Sequence, residues 1–203
     1  PGAKGGSLAK LLAHTLMKEI IPEVDCGIDF HTGGAARANY PQIRCSFKIK
    51  KAKELAAAMG APVMMHSSLI TKSFRNAAHK KGIEILVYET GESLRYDEFG
   101  IEEGIDGAQR LMKHLKMIKE APRPNKTKIF DSSTWIRTKN AGLFTKAELG
   151  EEFNKRQVLG SIKDPYGELN SRVIAPKDGM VIGLNNCPVV NKGDALIHFA
   201  YNK

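Results

Sequence analysis

An aspartate, a histidine and a glutamate stand where chemistry is usually done. Asp29 and His31 close the run C-G-I-D-F-H-T-G-G at residues 26–34, and Glu89 closes the run I-E-I-L-V-Y-E-T-G at residues 83–91. In both, residues suited to a buried strand give way to a polar side chain and then to glycine. Residues two apart on a strand share a face, so the Asp29 carboxylate and the His31 imidazole point the same way. Proteins built of alternating strands and helices bind ligands at the carboxyl ends of their strands. A neutral imidazole is a common zinc ligand, and a carboxylate beside metal-bound water is the usual general base. A catalytic zinc needs about three protein ligands and an open position, so His31 is too little if Glu89 is reserved for protons. The same residues also read as a core histidine satisfied by a turn aspartate.

The remaining histidines offer less. His14 sits on the flank of the first helix, and His66 is followed by Ser67-Ser68, which suits a helix-capping turn equally well. His79 and His114 lie among lysines on helices and are expected to be solvated, while His198 falls in a terminal strand. The chain has no H-E-x-x-H, no paired cysteines, no G-x-S-x-G nucleophile elbow and no G-x-x-x-x-G-K phosphate loop.

The elements that must position these residues can be read along the chain. Ser7 is a candidate cap for a helix whose apolar residues Leu8, Leu11, Leu12, Leu16 and Ile20 keep to one face, ending at Pro22. The strand to His31 is followed by a loop, a short strand from Gln42 to Phe47, and a helix from Ile49 to Met59 with Gly60 as its C-cap. A strand from Ala61 to Met65, a helix from Thr71 to Lys81 and the strand from Ile83 come next. A long helix over Ile101–Lys119 carries Ile105, Ala108, Leu111, Met112, Leu115 and Ile118 as its apolar stripe. The segment A-P-R-P-N-K-T then breaks the pattern, and beyond Lys128 short strands alternate with turns such as Asp164-Pro165-Tyr166-Gly167. The expectation is a partial α/β domain over 1–121, a linker over 122–127 and a β barrel or sandwich over 128–203, with a mostly parallel or mixed sheet covered on both faces in the first part.

Composition narrows the classes. No run of about 18 apolar residues is present, so no membrane-spanning segment is expected. Three cysteines without a C-x-x-C pair argue against a disulfide framework and fit a reducing cytoplasm. The net charge of +9 comes from lysines scattered along amphipathic helices without interleaved aromatics, which reads as a solvated basic surface that attracts acidic small molecules rather than as a nucleic-acid site. Composition leaves the oligomeric state open, a homo-oligomer included.

D-F-H-T-G-G, A-R-A-N-Y-P-Q-I-R, S-F-R-N-A-A and V-Y-E-T-G-E-S follow one another in an order that resembles the succinylglutamate desuccinylase and aspartoacylase family. The terminal R-V-I-A-P-K-D-G-M-V-I-G and N-K-G-D-A-L are similar to the β domain of the same family. The resemblance implies a zinc carboxypeptidase-like α/β fold and a zinc-dependent deacylase acting on an N-acyl amino acid or similar small carboxylate-bearing substrate. By that resemblance His31 is a zinc ligand, Glu89 the general base, and Arg75 the arginine that binds a substrate carboxylate. Asp29 orients His31, and Arg44, Asn39 and Arg37 line the loop beyond the metal strand within reach of substrate. The family's other two ligands come from an H-x-x-E segment that does not occur in these residues, so the chain as it stands is expected to be an incomplete enzyme.

A second class of reading stays open. A-P-K-D-G-M-V-I-G also resembles the turns of biotinyl and lipoyl carrier barrels, which would make this a binding or scaffold protein. Such carriers present a lysine at a tight hairpin, and G-L-N-N-C-P-V-V has none, so the β region is expected to shape the substrate mouth instead.

Overall fold

Strand β1, Cys26–Gly33, lies parallel to β4, Glu84–Glu92, and the fold is built outward from that pair. The computed structural model describes residues 2–203. β2, Arg37–Cys45, runs antiparallel along the other edge of β4, with a register shift between Asn39 and Gln42. That irregularity falls at Pro41, which has no N–H to give to a ladder. Beyond it β2 forks. Its first half pairs with β11, Gly179–Asn185, and its second half with β3, Val63–His66. β3 in turn carries β5, Lys128–Phe130, and β11 carries β13, Ala195–Tyr201, which pairs with β6, Ser132–Arg137. Together with β8, Glu152–Phe153, these make one nine-stranded mixed sheet, as the mixed α/β class anticipates.

A second, four-stranded antiparallel sheet is formed by β7, Gly142–Lys146, β9, Val158–Lys163, β10, Asn170–Ile174, and β12, Val189–Val190. It packs on the far end of the large sheet around Phe144, Leu159, Ile162, Leu196 and Phe199. Strands from beyond residue 128 thus continue the sheet of the N-terminal part, and the fully buried Gln42 ties the two together by donating from Nε2 to the Ile182 carbonyl at 3.0 Å. Residues 122–127 lie against the same body: Asn125 N–H donates to the Gly60 carbonyl at 3.4 Å and Thr127 Oγ1 to the Ala61 carbonyl at 2.8 Å.

Helix α2, Lys50–Met59, ends at Gly60 with φ of 61°, the left-handed C-cap expected of that glycine. Helix α3, Phe74–His79, is shorter than its sequence span and is capped by Ser73, whose hydroxyl accepts from Asn76 N–H at 3.1 Å. The first helix, α1 at Leu8–Thr15, widens into a π turn over Leu16–Ile20; Ser7 makes no side-chain cap. Its stripe of Leu8, Leu11, Leu12, Leu16 and Ile20 shares a face but stays exposed, so periodicity located the helix without locating its partner.

Helix α4, Glu98–His114, departs further from its sequence reading. The face turned inward is Gly100, Gly104, Gly107, Arg110 and Leu111, while Ile105 and Met112 of the expected stripe are exposed. Glycines let the helix axis approach the strands: a Cβ on Gly104 would stand 3.1 Å from Tyr88 and 3.2 Å from Phe30. Phe30 and Tyr88 meet edge to face at 5.6 Å beneath it. Among the described residues no helix is long and apolar enough to cross a membrane.

Gly100 tests this packing. An added Cβ there would lie 2.0 Å from Thr90 Oγ1 and 2.9 Å from Thr90 Cβ, atoms fixed on a strand. Gly100→Ala is expected to destabilise the fold by about 1–3 kcal/mol, seen as a lower urea midpoint with an unchanged slope.

Candidate functional site

The parallel register between β1 and β4 places His31 directly opposite Glu89 and Asp29 opposite Val87. Opposed residues of a parallel pair lie on one face about 5 Å apart, so the two strand ends named by the sequence deliver their polar groups to one place. Phe30 and Tyr88, one residue earlier on each strand, turn to the other face. Phe30 is 56% exposed there, not core as its strand pattern suggested.

Two adjoining pockets share His31, Arg44 and Glu89 on their walls. One, of about 290 Å³, is completed by the Thr32–Gly34 turn, Arg37, Asn39, Trp135 and His198. The other, of about 280 Å³, is completed by Asp29, Ser67, Phe74, Arg75 and neighbouring residues. Each lies just under the lower end of the usual size range of small-molecule sites, and the two adjoin.

Every sequence-nominated residue lines one pocket or both. His31 Nε2 stands 3.1 Å from Asp29 Oδ2, and the imidazole is about half exposed. Asn39, buried, donates from Nδ2 to Glu89 Oε2 at 2.8 Å. Arg44 Nε lies 3.8 Å from Glu89 Oε1, an ion pair too long for a hydrogen bond, and this Nε is buried with no hydrogen-bond partner. Burial pulls the Arg44 guanidinium below its ordinary pKa, an effect the Glu89 charge partly offsets. The group stays charged at neutral pH.

Arg75 is no surface charge of α3. It is buried, and its Nη2 donates to the Ser67 carbonyl at 3.1 Å, the Ser67 hydroxyl at 3.0 Å and the Ser68 carbonyl at 2.6 Å. Those bonds anchor Nη2 to the loop after β3, Nη1 donates to the Arg44 carbonyl at 3.5 Å, and Nε makes no hydrogen bond among the described residues. Burial lowers this arginine's pKa as well, with Cys45 the main opposing influence.

Trp135 and His198 come to the cleft from β6 and β13, and sequence reasoning missed both. The Trp135 and His198 rings stack at 4.8 Å with 10° between planes, and His198 Nε2 meets Ser133 Oγ at 2.9 Å. Arg37 Cζ lies 5.1 Å over the Trp135 ring. Burial, helped by the nearby Arg44 charge, pushes the His198 pKa down to about 3, so this imidazole is neutral at physiological pH. No local pattern marks these two residues; only the long-range pairing of β11 onto β2, with β13 and β6 carried behind it, brings them in. Among the other histidines, His79 is paired rather than freely solvated, with Nδ1 2.7 Å from the buried Glu84 carboxylate.

Residues 3–115 match the succinylglutamate desuccinylase/aspartoacylase catalytic domain. The chain belongs to this family. A curated relative is the N-alpha-acetyl-L-2,4-diaminobutyric acid deacetylase of Halomonas elongata, 24% identical over 97% of this chain and 62% of the relative. Among solved structures, the succinylglutamate desuccinylase/aspartoacylase of Rhodobacter sphaeroides superposes with a TM-score of 0.82 at 24% identity, covering 99% of this chain and 66% of that one. The product-bound ectoine utilization protein of Ruegeria pomeroyi gives a TM-score of 0.84 at 18% identity, covering 98% and 65%. The chain therefore spans a little under two thirds of the length of these relatives.

For a family member the fit of a zinc ion matters. Among the described residues no three of His, Cys, Asp and Glu gather as a metal-binding group. What they supply is one imidazole with a carboxylate at its second nitrogen, the usual arrangement of a metal-ligating histidine. The donor set fits one corner of a zinc site and does not close one by itself.

The depressed His198 pKa carries a sign. The unfolded chain takes up a proton on this residue below about pH 6.5 while the folded chain does not, so stability present above that pH is lost as pH falls towards about 3. Unfolding measured from pH 7 to pH 4 is expected to show a shallower fall in His198→Gln than in the parent, by up to ~1.4 kcal/mol per pH unit.

Proposed function

We propose that this chain carries the proton-handling and carboxylate-binding parts of a hydrolase that cleaves the amide bond of an N-acyl amino acid or a similar small carboxylate-bearing substrate. The observation that carries this reading is the opposition of His31 and Glu89 across β1 and β4, in a cleft walled by half-buried Arg44 and buried Arg75. Family membership and the deacetylase named above support it.

His31 is the imidazole this chain offers to zinc. Asp29 engages Nε2 and so leaves Nδ1 as the ligating nitrogen, holding the ring against rotation. Zinc, when bound, supplies a Lewis acid and water whose pKa is lowered to about 7.

Glu89 is the general base. Asn39 occupies Oε2, which leaves Oε1 to take a proton from the attacking water and return it to the departing amine. Asn39 also fixes the carboxylate's rotation, so the proton travels along one direction. Arg44, beside Oε1, is the cation placed to stabilise negative charge that develops on the carbonyl oxygen. Arg75 offers its free Nε–H to the substrate carboxylate, with the bonds to the Arg44, Ser67 and Ser68 carbonyls keeping the guanidinium from following a leaving product.

Glu89→Gln in the zinc-loaded enzyme is expected to lower kcat by about 10²–10⁴-fold with metal content and KM little changed. A variant that retains the parent rate on N-acyl amino acids overturns the assignment of the base. Arg75→Met is expected to raise KM about tenfold or more and also to lower the unfolding midpoint, because the loop carbonyls of Ser67 and Ser68 lose their donor. A rise in KM without loss of stability would reassign those bonds.

A further inference from the structure

The stack of Arg37, Trp135 and His198 stands on the cleft wall and has no task in the reaction outlined above. Arg37 enters from the start of β2, Trp135 from β6 and His198 from β13, so three separate elements converge on one short column. His198 is fixed by Ser133 behind it and presents a flat ring to Trp135, whose ring lies beneath the Arg37 guanidinium. The guanidinium is exposed, and among the described residues its side chain has no carboxylate and no hydrogen-bond acceptor as partner. A long cation on an open surface is ordinarily mobile. Resting on an aromatic face restrains it while its N–H groups remain available to an anion. The pocket that Arg37 lines is the one Arg75 does not reach, and its other wall holds Asn39 and Arg44, which are engaged with Glu89.

Building on the hydrolase reading, we propose that Arg37 is an anion-binding residue of the substrate cleft, holding a carboxylate in the pocket walled by the C-terminal strands, and that Trp135 is the positioning residue that holds Arg37 there. His198 serves the column by staying uncharged beneath the indole, so that no second cation opposes Arg37 from below. The competing role is structural, a cation–aromatic contact that only pins the start of β2 to β6. The two differ in what an anion does to the stack.

Trp135 is the single tryptophan of the chain, so emission excited selectively in the indole reports on this column alone. The probe is succinate, titrated into the metal-free chain at low salt, with succinamide as the uncharged control. A saturable emission change with succinate and none with succinamide is expected. Arg37→Met is expected to weaken the apparent affinity by about ten- to a hundredfold, the effect of losing hydrogen bonds from a charged donor. By calorimetry, which does not need the indole, Trp135→Ala should weaken succinate binding to a similar extent and Trp135→Phe should restore most of it. Parent emission that ignores succinate, an Arg37→Met protein that binds as the parent does, or a phenylalanine variant no better than alanine each overturns the proposal. Turnover separates its failure from that of the reaction assigned to the cleft. If N-acyl amino acids are hydrolysed and Arg37→Met leaves KM untouched, the anion site falls and the hydrolase stands. If succinate binds through Arg37 and the zinc-loaded enzyme, with its remaining metal ligands supplied, hydrolyses no N-acyl amino acid, the anion site stands and the hydrolase reading falls.

Discussion

Register between β1 and β4 is the constraint on which the cleft depends. Side chains alternate along a strand, so a slip of one residue would turn His31 and Asp29 away from Glu89 and carry Phe30 into their place. The slip is opposed from the other face. There Phe30 and Tyr88 pack edge to face beneath a helix that glycines allow to come close, and Tyr88 donates its hydroxyl to the Gly100 carbonyl at 2.8 Å. Hydrocarbon packing on one side of the sheet thereby sets which polar groups meet on the other.

The second dependence is on strands far along the chain. β2 belongs to both halves of the large sheet: one edge pairs with β4, which bears Glu89, and the other with β11, behind which β13 and β6 bring His198 and Trp135. Residues of the last third therefore form a wall of the cleft as fixed as the floor. Charge is distributed to match. Half-buried Arg44 sits beside Glu89 and buried Arg75 beside Ser67, while Arg37 stays at the surface, and the one imidazole buried among them is held neutral. An anion entering this cleft meets fixed cations rather than mobile ones, which lowers the entropy lost on binding.

Much of this was legible in the residues before any coordinates. Strand-to-glycine transitions located His31 and Glu89, Gly60 announced the end of α2, and the ordered motifs named the family. Three things were not legible. The inward face of α4 is carried by glycines, and hydrophobic periodicity cannot register a residue whose contribution is to be small. Trp135 and His198 lie in short strands whose local patterns resemble any others; their nearness to His31 is a property of long-range pairing alone. The proline-bearing segment 122–127 has the composition of a tether, yet it lies along α2 and β3, tied by Asn125 and by Thr127, because backbone groups that composition cannot see find partners there.

The turn from β1 into β2 has a consequence of its own. Arg37 N–H closes it on the Gly34 carbonyl at 3.3 Å, and its two central residues, Ala35 and Ala36, take φ of 53° and 57°, a left-handed geometry that alanine adopts unwillingly. Local preference works against this bend, and Asn186 N–H, donating to the Ala36 carbonyl at 2.7 Å, helps clamp it from the loop after β11. The mouth beside His31 is thus a sprung latch whose catch belongs to the distal strands. Loosening that catch would let the latch relax and swing Arg37 off its aromatic seat, so the integrity of the entrance is a readout of how well the two ends of the polypeptide are joined.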